Sequence, residues 1–112
     1  MQLLDNSTHA DGRVAETSCG ALYRLYAVEA RFSCPAGLFN IAHVSVHGTR
    51  VEHWLNGKRV LACDLAGEEF RRRVEASKFA AFPAFASGSD GHLVLQHHGS
   101  DAWFRDLRIR VI

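Results

Sequence analysis

His53 interrupts an apolar row between Val51 and Leu55, a place where an ordinary strand would carry another aliphatic side chain. His98 shares a strand face with Gln96 and Val94 and stands beside Gly99, where backbone can approach a ligand closely. Imidazole is the side chain that titrates nearest neutrality, so either residue suits a general base or acid. Gln96 and Arg105 fall near the same strand ends and add an amide and a permanent cation. The remaining histidines are less pointed: His9 lies in a polar loop, His92 follows Gly91, and His43 and His47 share a polar strand face. Taken singly, each of the seven histidines reads as an ordinary structural or surface group. Two on neighbouring inward rows suggest a site. His97 and His98 are adjacent and point to opposite strand faces, so they cannot chelate one metal together. Spacing gives no support to a metal centre built from Asp5, His53 and His98, and neither metal nor cofactor is expected. G-x-S-x-G, H-E-x-x-H and the phosphate-binding P-loop are all absent from the sequence.

Strands must position these residues. Gln2 to Asp5 is short enough only to end a strand, and the polar stretch from Asn6 to Ser18 has no apolar period, which predicts a long surface loop. Ala21 to Tyr26 follows Gly20 and is rich in aromatic residues, a strand signal. The clearest element is a three-strand meander. Ala42, Val44 and Val46 alternate with His43, Ser45 and His47; Gly48-Thr49 turns the chain; Val51, His53 and Leu55 alternate with Glu52 and Trp54. Asn56-Gly57 then marks a two-residue hairpin turn, which sets His53 opposite Val60 and Val51 opposite Ala62. Phe70, Val74 and Ser77 fall at helical spacing with Arg71, Arg72 and Arg73 solvated, so a short surface helix is expected near 67–78. Phe79, Phe82 and Phe85 are expected to cover one end of the fold. Two last strands follow, Leu93 to His98 and Trp103 to Val111, with Leu107, Ile109 and Val111 facing inward.

At 112 residues the chain is at most one domain. With 13 basic and 12 acidic side chains it builds no field that would draw nucleic acid or an anionic membrane, so neither is an expected partner. Cys19, Cys34 and Cys63 form no C-x-x-C pair and read as small buried side chains. No apolar run reaches the length of a membrane span, and no signal peptide precedes Gln2; a chain starting at Met1 is expected to remain in the cytoplasm.

Several stretches carry a more specific signal: Met1-Gln2-Leu3-Leu4-Asp5-Asn6, Gly20-Ala21-Leu22-Tyr23, Val51-Glu52-His53-Trp54-Leu55-Asn56-Gly57, Ser77-Lys78-Phe79, Leu95-Gln96-His97-His98-Gly99 and Trp103-Phe104-Arg105-Asp106-Leu107-Arg108-Ile109. In this order and spacing they resemble the bacterial 3-keto-disaccharide hydrolase domain family. The resemblance implies an all-β, concanavalin A-like (laminarinase-like) jelly-roll sandwich, of which residues 1–112 would be the C-terminal portion, with N-terminal strands missing. It also implies that full-length relatives are exported to the periplasm or cell surface. This sequence departs from the family pattern at His97 (commonly aspartate), Asp106 (asparagine), Phe39 (tryptophan) and His43 (often arginine), and the glutamate that usually precedes the Met-Gln pair is not present.

The resemblance implies an enzyme acting on a disaccharide or glycoside whose C3 hydroxyl is oxidised to a ketone. That ketone acidifies the C2 hydrogen, so a base near neutrality can form an enolate, the C1 substituent leaves, and water adds. We assign His98 as base, His53 as partner acid or base, and Arg105 as the group that stabilises the enolate. Gln2, Asp5, Tyr23 and Gln96 are expected to hold sugar hydroxyls, and Trp54 to stack on a pyranose face. Two other readings are a carbohydrate-binding sandwich without catalysis and an inactive fragment of a truncated gene. A complete seven-strand sandwich of immunoglobulin-like size is also compatible with the strand count. A sheet without its facing layer is expected to self-associate through unpaired strand edges.

Overall fold

The computed structural model describes residues 1–88, 90–97 and 99–111. Its regular elements are an antiparallel meander, β1 (Ala42–His47), β2 (Arg50–Leu55) and β3 (Lys58–Asp64), then helix α1 (Glu68–Glu75). Short 3-10 turns lie at Ala10–Arg13 and Lys78–Ala81. Asn56 and Gly57 adopt φ of 50° and 77°, both left-handed, as a tight turn matching strand twist requires. The meander and the helix follow the sequence pattern closely.

The register of β2 with β3 does not. His53 pairs with Leu61 and Val51 with Cys63, because the ladder shifts between His53 and Trp54. The shift leaves Val60 as an extra residue in β3, and both Val60 and Leu61 turn into the core. A flat hairpin would have exposed one of the two.

The inner face carries Val51, His53 and Leu55 from β2, with Val44 opposite His53 and Val46 opposite Val51 on β1. Over β2 and β3 it is covered by residues 17–28. Cys19, Leu55 and Val60 form one cluster with Met1, Leu4 and Val28; Val51, Leu61 and Cys63 form another with Leu22, Tyr26 and Leu65. Helix α1 contributes Phe70, and its acidic first turn and basic last turn complement the helix dipole. The Arg73 guanidinium reaches across to the Leu25 carbonyl at 2.8 Å and lies over the Tyr26 ring. Among the described residues none gives β1 such cover, and Val44 and Val46 are 47% and 55% exposed.

Three expected strands take another form. Ala21 to Tyr26 is a tight reversal: Arg24 sits at φ 59°, and Leu22 and Tyr26 meet in an isolated bridge. Gln2 joins no strand, yet its N–H donates to the Ala21 carbonyl and its carbonyl accepts from Gly20. Among the described residues, the segments expected as the last two strands have no ladder, and Leu107, Ile109 and Val111 are exposed. Alternation of side chains selects a side for each residue but supplies no neighbouring backbone to pair with. Of the three late phenylalanines, Phe79 and Phe85 stack at 4.3 Å while Phe82 points out.

Candidate functional site

Two adjoining depressions share Leu95, Gln96 and Phe104. The larger, about 400 Å³, adds His97 and residues 99–102 to its wall. The smaller, about 240 Å³, is closed by Met1, Gln2, Leu3 and Val94. The structure therefore brings Gln2 and Gln96, nearly the whole chain apart in sequence, to one concavity. The Gln2 side-chain nitrogen is shielded from solvent and has no hydrogen-bond partner among the described residues. An amide N–H left so costs about 1–3 kcal/mol.

Gln2 is held by a short relay from the core. Its backbone pairs with Gly20 and Ala21 at 2.8 and 2.9 Å. Gly20 has φ 96°, and a Cβ there would meet Val60 Cγ2 at 3.0 Å and Val28 Cγ1 at 3.1 Å, so glycine alone fits. The Gly20 carbonyl is in turn 2.7 Å from Nδ1 of His53. A carbonyl only accepts, so Nδ1 carries the proton and His53 is the donor. The ring is 1% exposed, and burial pushes its pKa down to about 4, leaving it neutral at physiological pH. His53 thus anchors the backbone that presents Gln2 and lines neither depression.

The other expected site residues are dispersed. His98 lies outside the described residues; its neighbours His97 and Gly99 line the larger depression, where the Gly99 N–H donates to His97 Nδ1 at 3.2 Å. Arg105 lies over the Phe39 ring at 4.0 Å and 3.8 Å from the Asp106 carboxylate. Asp5 accepts from the Ser7 N–H and from the Ser7 and Thr8 hydroxyls, and these bonds hold its carboxyl below the usual range. Tyr23 is packed against Lys78 and Arg24. Trp54 is on the outer sheet face, stacked with His43 and donating to Glu52. Phe104, Ser100 and Asp101 are lining residues that the sequence reasoning missed. A loop directly after Gly99, ending in an aromatic residue, was the available signal.

The concavity thus lies outside the meander, between the N-terminal residues 1–3 and the segment from Val94 to Phe104. Residues 1–110 match the sequence profile of the 3-keto-alpha-glucoside-1,2-lyase-like domain, and the chain belongs to that family. It is 28% identical over 124 aligned residues to the 3-keto-disaccharide hydrolase of Bacteroides thetaiotaomicron, a match covering 99% of this chain and 43% of that protein. Among solved structures it resembles a protein from Parabacteroides distasonis assigned to the glycosyl hydrolases, with 30% identity and a TM-score of 0.58. That match covers 62% of this chain and 31% of the other. The chain thus spans less than half the length of either relative.

Proposed function

We propose that the chain supplies part of a jelly-roll domain that cleaves 3-keto-glycosides, with sugar hydroxyls or the C3 carbonyl held by Gln2 and Gln96. The observation that carries this reading is that Gln2 and Gln96 line one concavity, with the Gln2 side-chain nitrogen buried and without a partner among the described residues. Both lie within residues 1–110, which match the family; its description speaks of a lyase, while the Bacteroides relative is called a hydrolase. One sequence of steps accommodates both words. A base takes the C2 proton, the electron pair shifts toward the C3 oxygen, and the C1–O bond breaks with the leaving oxygen taking a proton. Water then adds to C1 of the resulting enone and restores the ketone.

His98 is our choice of base, on the strength of the matching Leu95 to Gly99 motif. His53 is reassigned from proton transfer to positioning, since its one donor is spent on Gly20. The amide N–H groups of Gln2 and Gln96 are nearer candidates for the developing oxyanion than Arg105, whose guanidinium lies over Phe39.

Reaction of a 3-keto-disaccharide in D₂O tests the reading. Deprotonation before cleavage places deuterium at C2 of the recovered substrate or product, read by mass spectrometry. Cleavage without C2 exchange would refute the elimination route, and binding without turnover would leave a carbohydrate-binding sandwich. Gln2→Ala and Gln96→Ala are each expected to lower kcat/KM about 10–100-fold, as loss of a hydrogen bond to a charged oxygen does.

A further inference from the structure

Gly20 is clamped as well as hydrogen-bonded. Nδ1 of His53 donates to its carbonyl, and a Cβ on Gly20 would stand 3.0 Å from Val60 Cγ2 and 3.1 Å from Val28 Cγ1, so both valines close on its α-carbon. The valines are tied together in turn, because the N–H of Glu29, the residue after Val28, donates to the Val60 carbonyl at 3.0 Å. Gln2 hangs from this point: the Gly20 N–H donates to its carbonyl, and its own N–H donates to Ala21.

The clamp traces to the register shift in the hairpin. In an unshifted ladder His53 would face Val60, and Leu61 would lie opposite Glu52 and turn outward. The shift between His53 and Trp54 instead sets Leu61 opposite the imidazole and slides Val60 toward the hairpin tip, into the cluster with Leu55 and Cys19. Left without a ladder partner, Val60 sends its isopropyl group to Gly20 and its carbonyl to Glu29. Bulges beside functional sites commonly re-aim their neighbours in this way.

We propose that Val60 is a positioning residue for the concavity: as the extra residue of β3 it fixes the Gly20 peptide, and through that peptide the placement of Gln2. Its consequence for turnover rests on the reading of Gln2 as a residue that holds substrate. Val60 itself lines neither depression. Valine suits the task because its branched stem is stiff at χ1, so the γ-methyl group stays where the strand puts it. Alanine at this position leaves a gap beside the Gly20 α-carbon, and a glycine at φ 96° has the backbone freedom to move into it.

Val60→Ala tests this, with Val51→Ala as its control, because Val51 is buried in the other cluster and loses the same methyl groups there. In nitrogen-edited NMR spectra, Val60→Ala should shift the Gly20 and Gln2 amide resonances and speed exchange of the Gly20 amide about tenfold relative to Val51→Ala. In cleavage of a 3-keto-disaccharide, it should lower kcat/KM about tenfold where Gln2 is present and change nothing in the Gln2→Ala background, a coupling that general destabilisation does not produce. Val28→Ala opens the same clamp at a half-buried position and covers the case in which Val60→Ala does not fold; it too should speed Gly20 exchange. Gly20 exchange no faster than in Val51→Ala, or an equal loss of kcat/KM with and without Gln2, would overturn the proposal. If Gln2→Ala alone costs nothing, or nothing is cleaved, the reading of Gln2 fails, and the NMR comparison still decides whether Val60 fixes its place.

Discussion

His53 works by staying neutral. Burial lowers its pKa to about 4, against an ordinary value of 6.5. Between those values the unfolded chain takes up a proton that the folded chain refuses, so stability is full above about pH 6.5 and falls as pH drops toward 4. The loss has a ceiling of about 3 kcal/mol. Asp5 and Glu52, whose carboxyls are held low by hydrogen bonds, lose stability in the same direction at lower pH. We therefore predict that urea melts from pH 7.5 to 4.5 show a steep decline in the natural chain, and that His53→Leu flattens the part above the carboxylate range. At neutral pH that variant should itself be weaker by about 1–3 kcal/mol, because the Gly20 carbonyl loses its donor. Parallel pH curves for the two proteins would contradict a buried neutral imidazole. The oddity of this histidine was legible in the sequence, since a polar group in an apolar row asks for a partner. Which partner was not, because Gly20 lies 33 positions earlier and only the tertiary fold brings it near.

Among the elements, the hairpin from β2 to β3 was the most legible and its register the least. Asn56-Gly57 announces a turn through local φ preferences, whereas the extra residue at Val60 answers to packing over the sheet by Cys19, Val28 and Gly20. Asn56 has a second duty that no turn rule reveals. Its side chain accepts from the Ile41 N–H and donates to the Phe32 carbonyl and to Asn40, tying the loop before β1 to the hairpin tip. Asn56→Gly keeps the left-handed backbone and removes those bonds; Asn56→Ala removes both. We expect the glycine variant to lose about 1–2 kcal/mol and the alanine variant about 1 kcal/mol more, measured by denaturant melts. Equal losses would mean that the backbone angle matters little here. The two last strands show the opposite limit: Leu93 to Val111 alternates as strands do, yet pairing depends on a neighbour that alternation cannot specify.

Over the whole molecule, order is graded from the meander outward. β2 is bonded on both sides and buries Val51, His53 and Leu55, while the described residues from 91 to 111 form no backbone ladder. Hydrogen exchange followed by mass spectrometry should find β2 amides the slowest in the chain and those after Gly91 among the fastest, by several orders of magnitude. Comparable protection in both regions would show that the late segments are paired in solution. The concavity is built between these regimes, with Gln2 tied to the slow core and Gln96 on the loosely held segment, so ligand should slow exchange chiefly on the Gln96 side. The Asn56-Gly57 turn also gives the molecule a clock. With only a hydrogen on the following Cα, the Gly57 nitrogen can attack the Asn56 side-chain carbonyl carbon, expel ammonia and leave a succinimide that opens to aspartate or isoaspartate; asparagine is among the thermolabile residues for this reason. The bonds that pin the Asn56 amide restrain that attack while the turn is intact, and each opening of the loop releases it. Once converted, the side chain no longer donates to Phe32 or Asn40, so the loop stays loosened. Ageing in storage would begin at this hairpin tip.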